Sequence, residues 1–101
     1  MNWIFNRQGD TLYIDADICI GNAQAFCEAL AQLSPKRIEL SALSIEDGES
    51  MAHVISIIRR LQPICLIAAP QMLAHGLYKI GALGSGEITL IDPREDEGQG
   101  A

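Results

Sequence analysis

A change of hydrophobic period, repeated along the chain, restricts the fold more than any other feature. In TLYIDADICI (11–20), Leu12, Ile14, Ala16 and Ile18 alternate with Tyr13, Asp15 and Asp17. A period of two belongs to a strand with one buried face and one wet face. Directly afterwards the period lengthens to that of a helix. Ala23, Phe26, Leu30 and Leu33 fall on one side of AQAFCEALAQL (23–33), and Asn22 stands where an N-cap is needed. Ser34-Pro35 stops that helix, because the residue before proline is pushed out of the α region.

The same alternation continues downstream. RIEL (37–40) reads as a short strand, and MAHVISIIRRL (51–61) as the clearest amphipathic helix in the chain. Met51, Val54, Ile55, Ile58 and Leu61 form its apolar stripe, with Ile57 at the edge. Glu49, His53, Ser56 and Arg60 share the opposite side, and Gln62-Pro63 closes the helix. ICLIAA (64–69) is uniformly apolar, as expected of a central strand covered on both faces. Pro70 suits the first turn of a third helix whose Leu73, Leu77 and Ile80 face inward. Gly81 and the GSG at 84–86 end it, and EITLI (87–91) makes a last strand. At the amino end, NWIF precedes the Gly9-Asp10 pair, a hairpin turn signal.

The resulting order is β-β-α-β-α-β-α-β. It predicts one α/β domain over residues 1–91: a mixed sheet with an amino-terminal hairpin, and crossover helices on the sheet faces. A flexible acidic tail is expected at 92–101.

Composition limits the function. A chain of 101 residues with 49% hydrophobic and 20% charged residues suits a single packed domain. The net charge of −6 and only seven basic residues argue against nucleic acid, whose phosphates need clustered Lys and Arg. An acidic surface suits a protein that meets basic patches on other proteins. Cys19, Cys27 and Cys65 are widely spaced without a CxxC, which opposes a disulfide framework or a zinc site and favours the reducing cytoplasm. No run approaches the roughly 18 apolar residues of a membrane span. The start, MNWIFNRQGD, has no basic leader, so direct membrane insertion is not expected.

SIEDGES (44–50) sets Glu46, Asp47 and Glu49 around Gly48 where the second helix begins. Asp47 can cap the helix, and the other two acids sit near its positive end. Capping leaves the carboxylates partly exposed, so the same loop is available to a partner.

The segment GDTLYIDADICIGNAQAFCEAL resembles the opening of STAS domains, the family of bacterial anti-sigma factor antagonists and of the cytoplasmic domains of sulfate transporters. RIELSALSIEDGESMAHVISIIRRL is similar to its central motif, a strand with an Asp leading to an Asp-Ser-Ser/Ala-Gly-Leu helix start. ICLIAAPQMLAHGLYKIGAL is similar to the strand and last helix that follow, so the resemblance spans Leu12 to Ile91. It puts Glu39 at the strand Asp, Asp47 at the Asp before the phosphorylation site, and Gly48 at the phosphorylatable Ser or Thr. Glu49, Ser50 and Met51 replace Ser/Ala, Gly and Leu. Gly48 cannot accept phosphate, and one Glu49 carboxylate carries less charge than a phosphate and fewer acceptor oxygens.

The resemblance therefore implies a non-enzymatic interaction module of signalling and transcription regulation, binding without a phosphorylation switch at the usual position. Its partner-binding surface would comprise Glu46, Asp47, Gly48, Glu49, Ser50, Ala52, His53 and Ser56, with Ile57 as a further contact. The implied partner is an anti-sigma-type regulator with a kinase-like fold. The alternative is a small cytoplasmic STAS subunit of an ABC-type lipid transporter, a role that needs no phosphosite.

Other chemistry has less support in the residues. A phosphosite displaced to Ser50 would meet free helix N–H groups but also the repulsion of Asp47 and Glu49. His53 and His75 fall on wet faces of different helices without HExxH spacing, and Cys27 and Cys65 read as small core residues. GALGSGE (81–87) lacks the Lys-Ser/Thr of a phosphate loop and precedes a strand. A small enzyme would have to use Cys19 or the Asp15/Asp17 pair. No cofactor or metal is expected, and no residue supports carrying over the nucleotide or lipid binding of some STAS domains.

Overall fold

Gly9 takes a left-handed φ of 63° and, with Asp10, turns the chain tightly enough to pair Gln8 with Thr11. The computed structural model of the chain describes residues 3–84 and 86–92; of the tail expected at 92–101, all but Asp92 lies outside them. The hairpin joins β1 (Trp3–Gln8) to β2 (Thr11–Ile18). There follow α1 (Ala23–Leu33), β3 (Arg37–Ile45), α2 (Gly48–Arg60), β4 (Ile64–Ile67), α3 (Gln71–Lys79) and β5 (Ile88–Ile91). The chain is thus an α/β domain with a mixed five-stranded sheet in the order β1-β2-β3-β4-β5. Among the described residues, only the β1–β2 pair is antiparallel.

This strand order never reverses, so crossovers of one hand all land on the same side of the sheet. One core follows. Leu12, Ile14, Ala16 and Ile18 of β2 pack with Ile38, Leu40, Ile64 and Leu66 of its neighbours. Over them lie Phe26 and Leu30 of α1, Val54, Ile57 and Ile58 of α2, and Leu73 and Leu77 of α3. Each large aliphatic or aromatic side chain taken from water here contributes about 1.5–3 kcal/mol. Trp3 and Phe5 close the end of the core against Phe26, with ring centroids 5.8 and 5.7 Å apart.

The one-sided layer corrects the expectation of helices on both faces. On β4, Ile64 and Leu66 are buried under helices, whereas Cys65 and Ile67 on the reverse face are only half-buried. That reverse face also carries Ile4, Tyr13, Asp15 and Asp17, all exposed. Three helix positions differ from the stripes drawn on ideal wheels. Leu33, the last residue of α1, and Ile80, the cap residue after α3, are exposed, while Ile57 is buried with Ile58 instead of lying at the edge.

β3 runs five residues beyond the expected RIEL. Its pairing with β2 jumps from Tyr13↔Glu39 to Asp15↔Ala42, a bulge that adds one residue to β3. Burial accordingly shifts from Ile38 and Leu40 to Leu43. The Glu39 carboxylate accepts the Ser41 backbone N–H at 2.8 Å and its hydroxyl at 2.9 Å, satisfying polar groups at the irregularity. At the end of α3, Gly81 adopts φ 74°. The N–H groups of Gly81 and Ala82 donate to the carbonyls of Tyr78 and Leu77, both at 3.0 Å, a Schellman closure for which glycine is suited. Pro70 is the cap residue of α3, one position before its first turn. Among the described residues, no helix is long and apolar enough to cross a membrane.

Candidate functional site

β2 and β3 are parallel neighbours, so their carboxyl ends deliver two loops to one place: Cys19–Asn22 before α1, and Glu46–Asp47 before α2. Carboxyl-end loops carry the ligand contacts of many α/β sheets, although this sheet has no reversal of strand order to open a crevice between them. The Glu46 N–H donates to the Ile18 carbonyl at 2.8 Å and ties the two loops together.

Asp47 caps α2 as the sequence predicts. Its backbone is extended (φ −147°, ψ 168°), and its Oδ1 accepts the Ser50 N–H at 2.7 Å. Its Oδ2 accepts the Ser50 hydroxyl at 3.0 Å. The Ser50 N–H above all holds the Asp47 carboxyl below its usual pKa. Partial desolvation opposes it, and the Ser50 hydroxyl and the N–H groups of Ile20 and Glu49 assist.

Ser50 is therefore not a surface residue. It is 0% exposed and both its donors point at Asp47. This removes Ser50 from the expected contact surface and leaves its hydroxyl inaccessible to a kinase in this fold. The small side chain sits where the first turn of α2 closes on the core. Ile57 leaves the surface for the same reason, being packed in that core.

The remaining predicted residues are brought together. Glu46, Gly48, Glu49, Ala52, His53 and Ser56 are all exposed along the start and outer ridge of α2, with Asp47 half-buried between the first two. A side chain added at Gly48 would meet nothing within 4 Å, and its φ is not left-handed. The position could therefore carry a hydroxyl, and the sequence supplies none. Sequence reasoning missed Ile20, which is 66% exposed beside the acids. The signal was present: the alternation of β2 ends at Ile18, so Ile20 is released into the turn.

Asn22 departs from its expected role. Its side chain accepts no N–H from α1. Instead Oδ1 accepts the Cys19 N–H at 2.8 Å and Nδ2 donates to the Asp17 carbonyl at 2.9 Å, stapling the loop backwards onto β2.

The residues considered for other chemistry stay apart. Asp15 and Asp17 lie exposed on the open sheet face, and among the described residues no group of three or more His, Cys, Asp or Glu could hold a metal ion. The Cys27 thiol donates to the His53 carbonyl at 3.4 Å, and burial pushes its pKa up to about 11, which keeps it protonated and unreactive. His53 and His75 are exposed on separate helices. The chain matches no model of a known protein family, and no curated protein matches it significantly.

Proposed function

We propose that the chain is a non-enzymatic protein-interaction module of the anti-sigma-antagonist type, docking a protein partner on the exposed start of α2. One observation carries this reading. The first turn is fixed internally by Asp47 and Ser50, while Glu46, Gly48 and Glu49 face solvent on a preorganised frame with Ile20 as an apolar neighbour. A rigid turn loses little entropy on binding, and an apolar residue ringed by acids suits a basic partner surface. Ala52, His53 and Ser56 extend the surface along the same helix. The partner in this reading is a regulator with a kinase-like fold, bound constitutively because position 48 carries no phosphoacceptor. A cytoplasmic location belongs to the same proposal and fits the three free thiols.

Gly48 also favours a second reading, a small subunit of an ABC-type lipid transporter, since that role needs no phosphoacceptor. Pull-down with tagged wild type and Glu49→Lys from native lysate separates the two. Recovery of a kinase-like regulator by the wild type alone is the expected result, and recovery of transporter ATPase or permease subunits selects the second reading. Identical recovery by both proteins contradicts the proposed surface.

A further inference from the structure

The described cations are gathered at one end of the molecule. Arg7 ends β1 beside the start of β2, Lys36 and Arg37 open β3, Arg59 and Arg60 end α2, and Lys79 ends α3. No other Lys or Arg occurs among the described residues. Asp10 and Glu87 are the acids that share that end. At the opposite end stand Asp17, Glu46, Asp47, Glu49 and Asp92, with no cation among the described residues. Arg37 is engaged by Asp10 at 3.9 Å, but Arg59 and Arg60 are exposed and have no acidic partner among the described residues.

Beside those two arginines a groove runs between α2 and α3. Ala52, Ile55, Ser56, Gln62 and Ile80 line it, and Ile80 is half exposed. Gly76 brings α3 close here: a Cβ on it would stand 3.0 Å from Ile55 Cδ1. The groove thus offers an apolar patch of Ala52, Ile55 and Ile80 beside Ser56 and Gln62, and is basic at one end. The acidic end of the molecule bears the complementary charge, with the exposed Ile20 beside Glu46, Asp47 and Glu49.

We propose that these two surfaces dock on each other between two copies of the chain, with Ile20 seated in the α2–α3 groove and Glu46 and Glu49 facing Arg59 and Arg60. One copy cannot satisfy itself. The acids and the arginines occupy opposite ends of a 13-residue helix, roughly 20 Å apart at the helical rise. That distance also exceeds the screening length of about 8 Å at physiological ionic strength, so facing patches attract locally despite the net charge of −6. The contact is heterologous: donor and acceptor surfaces differ, so a bound pair leaves one of each free for further copies. A partner bound at the start of α2 would compete with it.

Analytical ultracentrifugation of the intact chain tests this with two charge-reversed variants, Glu46→Lys/Glu49→Lys and Arg59→Glu/Arg60→Glu. The wild type is expected to associate as concentration rises, about tenfold more weakly in high salt than in low salt. Each variant alone is expected to remain monomeric, because both of its possible pairings set like charges against each other. A further pair, Arg59→Gln/Arg60→Gln, which retains the acidic turn, and Glu46→Gln/Glu49→Gln, which retains the arginines, is expected to stop at a 1:1 dimer through those two intact surfaces. The decisive mixture is wild type with a variant blocked at one end: Arg59→Glu/Arg60→Glu must cap wild-type assemblies through its intact acidic end, lowering their mean mass. A wild type that stays monomeric at every concentration, or a variant that leaves wild-type assemblies unchanged, overturns the proposal. Melting curves of each variant establish that it is folded. The inference rests on the acidic turn being a docking surface but on no particular regulator. A monomeric chain that still captures its partner would overturn this inference alone, and self-association without a captured partner would overturn only the regulator.

Discussion

The two loops at the carboxyl ends of β2 and β3 begin with similar chemistry and resolve it differently. Each offers a short polar side chain in front of a helix, Asn22 before α1 and Asp47 before α2. Asp47 turns forward and accepts the N–H of Ser50, whereas Asn22 turns back to Cys19 and Asp17. The difference follows from their bonding capacity. An ionised Asp only accepts, so it is suited to the free N–H groups of a helix start, while Asn also donates and can bridge an N–H and a carbonyl of its own loop. The first helix is anchored to its strand and the second is fixed at its first turn. Only the second presents acids on a rigid frame.

Replacing residues at the two helix starts should separate these roles. The largest effect is expected from Ser50→Glu, which forces a carboxylate into a fully buried site beside Asp47. The destabilisation should reach roughly 3 kcal/mol or more, readable by chemical denaturation. A Ser50→Glu protein as stable as wild type would show that this turn is not closed on the core.

Asp47→Ala should lower Tm next most strongly, and its effect should depend on pH. The native carboxyl titrates below its unfolded value of about 3.9, so its contribution is complete above that pH and is lost as pH falls through the lower native value. Wild type and Asp47→Ala should therefore converge in acid. Asn22→Ala should cost about 1 kcal/mol through its two loop hydrogen bonds, equally across that range because amides do not titrate. Parallel acid limbs for both variants would erase the distinction between the helix starts. The smallest change is expected from Gly48→Ala, a gain of about 0.4–1 kcal/mol in thermal or denaturant unfolding, since the site is open and the alanine restricts the unfolded chain.

Much of this architecture is legible in the residues. The Gly9-Asp10 turn, the bounds of α1 and the Gly81 closure of α3 rest on local chemistry that reads directly. What did not read depends on the neighbours of each segment. SALSI looks like loop because half its side chains face the open side of the sheet and a bulge breaks its alternation. ICLI looks covered on both faces because apolar residues are also tolerated on the half-buried reverse face. At the site, the acids and the ridge of α2 follow from periodicity. The burial of Ser50 fits the same period, four residues before Val54 and eight before Ile58, but a hydroxyl on that face reads as surface until Asp47 is seen to satisfy it.

The claim that the start of α2 is the docking surface is tested most directly by binding isotherms of the captured partner with wild type, Glu49→Lys and Asp15→Lys. Both substitutions make the same charge change, one at the first turn of α2 and the other on the open sheet face. Loss of binding by Glu49→Lys, with wild-type affinity for Asp15→Lys and both proteins folded, is the predicted result. Equal affinity in Glu49→Lys and wild type would contradict it.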